Sequence, residues 1–247
     1  MKPNLEVRKE LDELQDEFDD ILVLAQEAFE SHAVPLKKLR LTVTSLCINR
    51  EQSIPMFNQS KLEVINTSSC DELFTFLIRM QVWDALNFHI LKKIVEKYIP
   101  NDAEICKRIH DYAPKVEKFK KKTNLRDYIR IRASGPTAIP GYRTVMVKVN
   151  KFDNTFTLAD VAEEEKFLAN QFLLNQFIFR LKDAGRGGVQ ITWLVPASAI
   201  PLLMPEKLAK KGQALKERKM LETRVDDRYV YTVHITFCIR SISPCLY

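Results

Sequence analysis

Residues 133–141 read Ala-Ser-Gly-Pro-Thr-Ala-Ile-Pro-Gly, and they separate two stretches of sequence with different hydrophobic periods. The two glycines and two prolines of this segment make the strongest change of composition in the chain. Because such residues break regular structure and are typical of segments between folded units, we expect a linker at 132–142. The sequence thus predicts a first domain at 1–131 and a second domain at 143–247.

N-terminal to the linker, the chain begins with a long amphipathic helix. Its apolar residues recur at spacings of three and four for three heptads, and they form a seam of Val7, Leu11, Leu14, Phe18, Ile21, Ala25 and Ala28. Such a seam is typical of a helix packed in a bundle within one chain. The alternative is a coiled coil between two chains.

Start and stop signals divide the rest of this half into shorter helices. Ser69-Cys70-Asp71-Glu72 matches the capping box that opens a helix. Pro100 ends a later helix, Asn101 or Asp102 caps the next one, and Pro114 is expected to interrupt or kink that helix. The predicted helices after the first cover 36–47, 61–65, 70–80, 88–98 and 103–119. Together they predict a compact antiparallel helical bundle.

C-terminal to the linker, the hydrophobic period changes to that of strands. An acidic helix start at Thr157 precedes a helix whose apolar side is expected to include Leu173 and Phe177. The predicted strands are 144–149, 178–181, 189–195, 221–225 and 229–239, and the helices between them are 157–177, 197–204 and 206–219. The order β-α-β-β-α-β-β predicts an α+β fold, with helices on one face of a mainly antiparallel sheet.

The composition argues against several classes of enzyme. The chain has only six glycines, and neither GxGxxG nor GxxxxGK[ST] occurs, so a glycine-rich phosphate loop is not expected. The four histidines form no metal-binding pair, and no GxSxG is present. Cys70 lies at a helix N-terminus, where the adjacent Asp71 and Glu72 disfavour its thiolate. We therefore expect no catalytic residue, no metal and no small-molecule cofactor.

The cysteines and the N-terminus indicate a reducing compartment. The five cysteines are odd in number and form no CxxC, which is typical of free thiols in the cytosol. The first residues are acidic and lack the features of a secretory signal, and no apolar stretch is long enough to span a bilayer. A cytoplasmic location is therefore expected.

Charge is strongly segregated along the chain. Residues 2–33 carry a net charge of −7, residues 107–151 carry +10, and a second basic cluster lies at 205–220. From these segments we select candidate interaction residues, which are Glu13, Asp16, Glu17, Asp20, Lys115, Lys118, Lys120, Lys121, Lys122, Arg126, Arg130, Lys207, Lys210 and Lys211.

Three interpretations of this charge pattern remain open. The basic helix faces are simply solvated, or acidic and basic surfaces meet between copies or partners, or the basic segment at 107–151 contacts the phosphates of a nucleic acid or an anionic lipid. Aromatic residues are sparse among these basic residues, so the pattern for binding single-stranded nucleic acid is weak.

The helical half also contains aromatic and leucine anchors around a break between two helices. The core run Asp71–Leu77 and the helix-break-helix element at Trp83–Leu91 carry these anchors. With about six short antiparallel helices, this half resembles the death-fold superfamily, which comprises the death, death-effector and caspase-recruitment domains. The resemblance covers residues 5–125. It implies a non-catalytic adaptor that pairs acidic and basic patches between copies, as in apoptotic or innate-immune signalling.

These observations predict a cytoplasmic protein-interaction or adaptor protein. It is expected to oligomerise or to bind a protein partner through complementary acidic and basic faces. One alternative is a nucleic-acid-binding protein that uses residues 107–151. A second alternative is an enzyme with an unrecognised site.

Overall fold

In the computed structural model, the described residues are 2–47, 67–79, 83–132, 142–150, 155–174, 178–185, 189–226 and 228–232. The predicted linker core at 133–141, the predicted short helix at 61–65 and the end of the predicted last strand lie outside these residues. The architecture combines an N-terminal helical part with a C-terminal layer built on an antiparallel sheet. The predicted α+β fold class is confirmed.

The helical part closely follows the predicted start and stop signals. The amide of Glu72 donates to the side chain of Ser69 (3.1 Å), and the side chain of Asp102 accepts from the amides of Glu104 and Ile105. The helices are α1 (Lys2–Ser31), α2 (Leu36–Cys47), α3 (Cys70–Arg79), α4 (His89–Tyr98), α5 (Ala103–Lys122) and α6 (Leu125–Ile131).

Two features of this part differ from the prediction. Helix α5 continues through Pro114 without interruption, and Pro114 lies on its exposed side. Helix α6 is an addition of seven residues, whose first turn is capped because the side chain of Asn124 accepts from the amide of Arg126.

The C-terminal layer has the predicted order of strands and helices. Its elements are β1 (Tyr142–Val149), α7 (Leu158–Phe172), β2 (Arg180–Gly185), β3 (Val189–Pro196), a 3-10 helix (Ala197–Leu203), α8 (Pro205–Lys210), α9 (Gly212–Glu217), β4 (Met220–Val225) and β5 (Arg228–Thr232). The sheet order is β2-β3-β1-β4-β5, and all neighbours in it are antiparallel.

Two details of this layer correct the prediction. Helix α7 ends at Phe172, because Leu173 adopts a left-handed conformation (φ 53°) and is 70% exposed, so Leu173 is not part of the buried face. The predicted helix at 206–219 is divided at Lys211 into α8 and α9, and the segment before it forms a 3-10 helix rather than an α-helix.

Helix α5 lies at the centre of the packing. Its buried residues are Ile105, Ile109, Tyr112, Val116 and Phe119, each at most 3% exposed. This stripe packs against α1 and α4 on the helical side and against α7 on the sheet side. The buried side chains of both parts belong to one contiguous hydrophobic cluster. The proposed division into two domains therefore stays a prediction, although the change of sequence pattern between the two parts is real.

The two parts are also joined through their backbones. The amide of Leu125 donates to the carbonyl of Phe156 (2.9 Å), and the amide of Leu158 donates to the carbonyl of Thr123 (3.0 Å). Because Asn124 and Thr157 are the N-caps of α6 and α7, this short antiparallel bridge fixes the two helix starts side by side.

The hydroxyl of Tyr112 is a first target for a stability test. It donates to the carbonyl oxygens of Ala85 (2.6 Å) and Leu14 (3.1 Å), and it links α5 to α1 inside the core. Tyr112→Phe leaves these buried carbonyls without that donor, so we expect roughly 1–3 kcal/mol less stability in urea unfolding.

Tyr98→Phe is the matched control. The half-buried Tyr98 hydroxyl is 2.5 Å from the side-chain oxygen of Thr42 and donates to the exposed carbonyl of Lys38 (3.1 Å). Thr42 also accepts from Lys97 Nζ (2.9 Å), so it keeps a donor when the tyrosine hydroxyl is removed. We expect a loss below about 1 kcal/mol. Equal losses in the two variants would contradict the central position given to Tyr112.

Candidate functional site: charged helix faces and a polar cavity

The outer face of α1 carries a row of carboxylates. The seam side of α1 is buried, and the opposite side repeats the same spacing of three and four residues in exposed positions. We call this row the acidic stripe. It consists of Glu6, Glu13, Asp16, Asp20, Glu27 and Glu30, and it is interrupted by Lys9 and Val23. Among the residues that the structure describes, one member of the stripe forms an ion pair, Glu13 with Lys9 at 3.6 Å.

Other charges of α1 and α5 pair with each other inside the chain. Lys115 Nζ lies 2.7 Å from a carboxylate oxygen of Glu17, and Lys122 pairs with Glu10. Glu10 and Glu17 are half-buried at the edge of the α1–α5 contact. Part of the predicted acidic–basic complementarity is therefore already used within one molecule.

The remaining basic candidates are divided among several surfaces. Lys118 and Lys121 are exposed on α5, and Arg130 lies 3.8 Å from Asp127 on α6. Arg126 is half-buried. Three further candidates are exposed on or directly after α8, and they are Lys207, Lys210 and Lys211. The structure thus brings Glu13, Asp16 and Asp20 together on one face but places the basic candidates in separate groups.

Two arginines of the predicted nucleic-acid segment have contacts within the protein. The guanidinium of Arg132 donates to the carbonyls of Leu181 (2.8 Å) and Lys182, and Arg143 lies 3.2 Å from Asp226. Lys120 points inward, and its side chain is only 12% exposed. These contacts reduce the basic surface that the segment at 107–151 offers to phosphates.

A cavity of about 750 Å³ lies where the helical part meets the sheet layer. Its wall is formed by α1, the end of α3, the segment at 83–89, the end of α5, α6, α7 and the start of β2. Exposed charged residues such as Asp12, Asp19 and Lys166 line its rim. The buried or nearly buried part of the wall includes Lys120 and Arg180.

Glu165 is the most perturbed group of this wall. Its residue as a whole is half-buried, but its carboxyl group is enclosed, and it accepts a hydrogen bond from Trp193 Nε1 at 2.8 Å. Burial raises the pKa of Glu165 to about 7, while the Trp193 N–H, Lys120 and Arg180 act in the opposite direction. A carboxyl group with this pKa changes its charge near neutral pH.

Neighbouring groups of the wall have shifted pKa values as well. Burial raises the pKa of Tyr128 to about 12, and the charge of Asp84 acts in the same direction. Burial also lowers the pKa of His89, and Lys120 adds to that shift. Both groups therefore remain neutral at physiological pH. The indole N–H of Trp83 is buried and, within the described residues, has no hydrogen-bond partner.

Sequence reasoning missed this cavity because its wall comes from seven separate segments. A local signal was present for the buried acids of α7, since Glu164 lies at helical spacing between the buried Val161 and Leu168. Glu164 is fully buried and accepts from Arg218 Nε at 2.9 Å. The neighbouring Glu165 then faces the cavity.

The sequence also raised metal binding, cysteine chemistry and membrane spanning, which concern other parts of the chain. Among the residues that the structure describes, no group of three His, Cys, Asp or Glu side chains is arranged to hold a metal ion. Burial, followed by the charge of Glu30, raises the pKa of Cys70, which opposes a reactive thiolate. Over the same residues, none of the helices combines the length and apolar character needed to cross a membrane.

The ion pair between α1 and α5 can be tested with a double-mutant cycle. Because Lys115 is largely exposed, we expect a coupling free energy of only about 0.5 kcal/mol between Glu17→Gln and Lys115→Gln in urea unfolding, and a smaller value at high salt. The same cycle with the exposed Lys118 is the control and is expected to give a coupling near zero. Equal couplings would show that Lys115 has no specific partner.

The pKa of Glu165 predicts a pH dependence of stability. The folded state binds this proton more tightly than the unfolded state, so the stabilisation from protonation is present at low pH and is lost as pH rises towards about 7. Glu165→Gln keeps an acceptor for Trp193 and cannot ionise. Relative to this variant, the free energy of unfolding of the wild type should fall by roughly 1–3 kcal/mol between about pH 5 and pH 8.

The exposed Glu163→Gln is the control for this experiment and should follow the wild type at each pH. Urea unfolding at both pH values measures the difference. Parallel pH profiles of the wild type and Glu165→Gln would show that this carboxyl group ionises normally.

Comparisons with known proteins do not assign this chain to a family. No protein-family model, no curated protein sequence and no solved structure matches it. The resemblance to the death-fold superfamily therefore remains a prediction.

Proposed function

We propose that this chain is a non-catalytic, cytoplasmic interaction protein that binds a basic protein surface through the acidic stripe of α1. The observation that carries the proposal is the exposure of six carboxylates on one helix face. From Glu6 to Glu30 the stripe extends over about 36 Å, at the helical rise of about 1.5 Å per residue. This length is comparable with the width of a protein–protein interface.

The helix that carries the stripe is held firmly. Leu14, Phe18, Ile21, Ala25 and Ala28 of the seam are buried in the core, so the carboxylates have a fixed spacing. A preorganised charged face costs little ordering entropy on binding and accelerates encounter with a surface of opposite charge. These properties favour an adaptor over a face that is merely solvated.

A second copy of the chain offers one such basic surface. Three exposed lysines lie on and directly after α8, in the C-terminal part of the chain, and they are Lys207, Lys210 and Lys211. Pairing of the acidic stripe with these lysines would give the self-association expected of a death-fold-like signalling adaptor. A different basic protein is the other partner that the same stripe would accept.

The proposal can be tested by charge reversal. The double variant Asp16→Lys/Asp20→Lys changes two exposed positions in the middle of the stripe, so we expect the fold to be retained and association to weaken by about tenfold or more. The variant Glu96→Lys/Asp111→Lys makes the same change of charge on exposed residues of α4 and α5, which belong neither to the stripe nor to the basic group on α8, and it is the matched control.

The measurement is sedimentation velocity of the purified chain between about 20 mM and 500 mM salt, with affinity capture on wild-type and variant chains in parallel. Self-association that falls with salt and with the stripe variant supports pairing between copies. A protein captured by the wild type and by the control, but not by the stripe variant, supports a different partner. A monomer at low salt whose captured proteins are the same for all three chains contradicts the proposal.

A further inference from the structure

The cavity between the helical part and the sheet layer is separate from the acidic stripe, and its wall combines apolar surface with many charged side chains. Its volume of about 750 Å³ is within the usual range for sites that bind small molecules. Trp83, Leu158 and Phe179 supply buried apolar surface.

The deep part of the wall carries more positive than negative groups. Lys120 and Arg180 line it with little exposure, and the half-buried Arg132, whose guanidinium donates to the backbone of β2, also belongs to the wall. Glu165 is their acidic counterpart among the described residues of this deep part. The acidic residues Asp12, Asp19, Asp84, Glu117 and Glu163 belong to the exposed rim instead, where a carboxylate oxygen of Glu117 lies 3.9 Å from Lys120 Nζ.

We propose that this cavity binds a small organic anion, with its carboxylate or phosphate group near Lys120 and Arg180 and its apolar body against Trp83, Leu158 and Phe179. The site is distinct from the proposed protein-interaction face and does not depend on it. The bound molecule would contact both α1 and β2, so occupancy would also stabilise the contact between the helical part and the sheet layer.

Glu165 then makes binding sensitive to pH. The groups that face it are Trp193 from β3, Lys120 from α5, Arg180 from β2 and Asp84 from the segment before α4. Protonation of Glu165 removes a negative charge from the anion's surroundings, so binding becomes tighter as pH falls through about 7. Because burial lowers the pKa of His89, this histidine stays neutral over the same range.

The test uses three probes of similar shape, which are phenylacetate, phenyl phosphate and neutral phenylacetamide. In isothermal titration calorimetry of the full chain, at least one of the two anions should bind about tenfold more tightly than the amide, or more. Preference for phenylacetate identifies a carboxylate ligand, and preference for phenyl phosphate identifies a phosphate ligand. No binding of either anion up to about 10 mM, or equal binding of the amide, overturns the proposal.

Variants on α5 locate the site. Lys120→Gln should weaken binding of the preferred anion by about tenfold, whereas the adjacent exposed Lys121→Gln should change it by less than about twofold. Equal effects would mean that the anion binds to general positive charge on the surface and would overturn the assignment to the cavity. Urea unfolding of both variants confirms that they are folded.

The variant Glu165→Gln tests whether ionisation of Glu165 causes the pH dependence of binding, and it leaves Lys120 and Arg180 unchanged. It should bind phenylacetate, which stays ionised over this range, equally well at about pH 6 and pH 8, while the wild type binds it more weakly at pH 8. A pH dependence that persists in Glu165→Gln overturns the role assigned to this carboxyl group.

Discussion

The packing of the apolar stripe of α5 is the interaction on which the rest of this structure depends. Ile105, Ile109, Tyr112, Val116 and Phe119 are almost completely buried, although lysines surround them in the sequence. The stripe contacts the helical part on one side and α7 on the other. At roughly 1.5–3 kcal/mol for each fully buried large apolar side chain, this contact dominates over the surface ion pairs.

The position of α5 also determines which charges remain available outside. Its apolar stripe accepts the seam of α1, so Lys115 and Lys122 at its edge meet Glu17 and Glu10. The carboxylates on the far side of α1 are then directed away from the protein. Lys120 is carried inward at the end of the same helix and becomes part of the cavity wall. One helix therefore connects the core, the proposed interaction face and the proposed binding site.

Much of the fold could be predicted from local signals in the sequence. The seam of α1, the cap at Asp102 and the order of the strands depend on periods and caps that lie within a few residues of each other. The sequence does not predict helix α6, because seven residues carry too little periodicity. It places Leu173 in the core, because the residue at this left-handed helix end is not a glycine and so does not mark the end of the helix. The cavity was missed because tertiary packing alone brings Lys120, Trp83 and Glu165 together.

Hydrogen exchange during urea unfolding tests the central position of α5 most directly. If α5 joins the two parts into one core, the amides of α5 and those of β1 and β3 should lose protection together, with the same free energy and the same dependence on urea. If the sheet strands lose protection at a lower urea concentration while α5 keeps its protection, the shared core is contradicted. That result would instead favour two independent domains divided at 132–142.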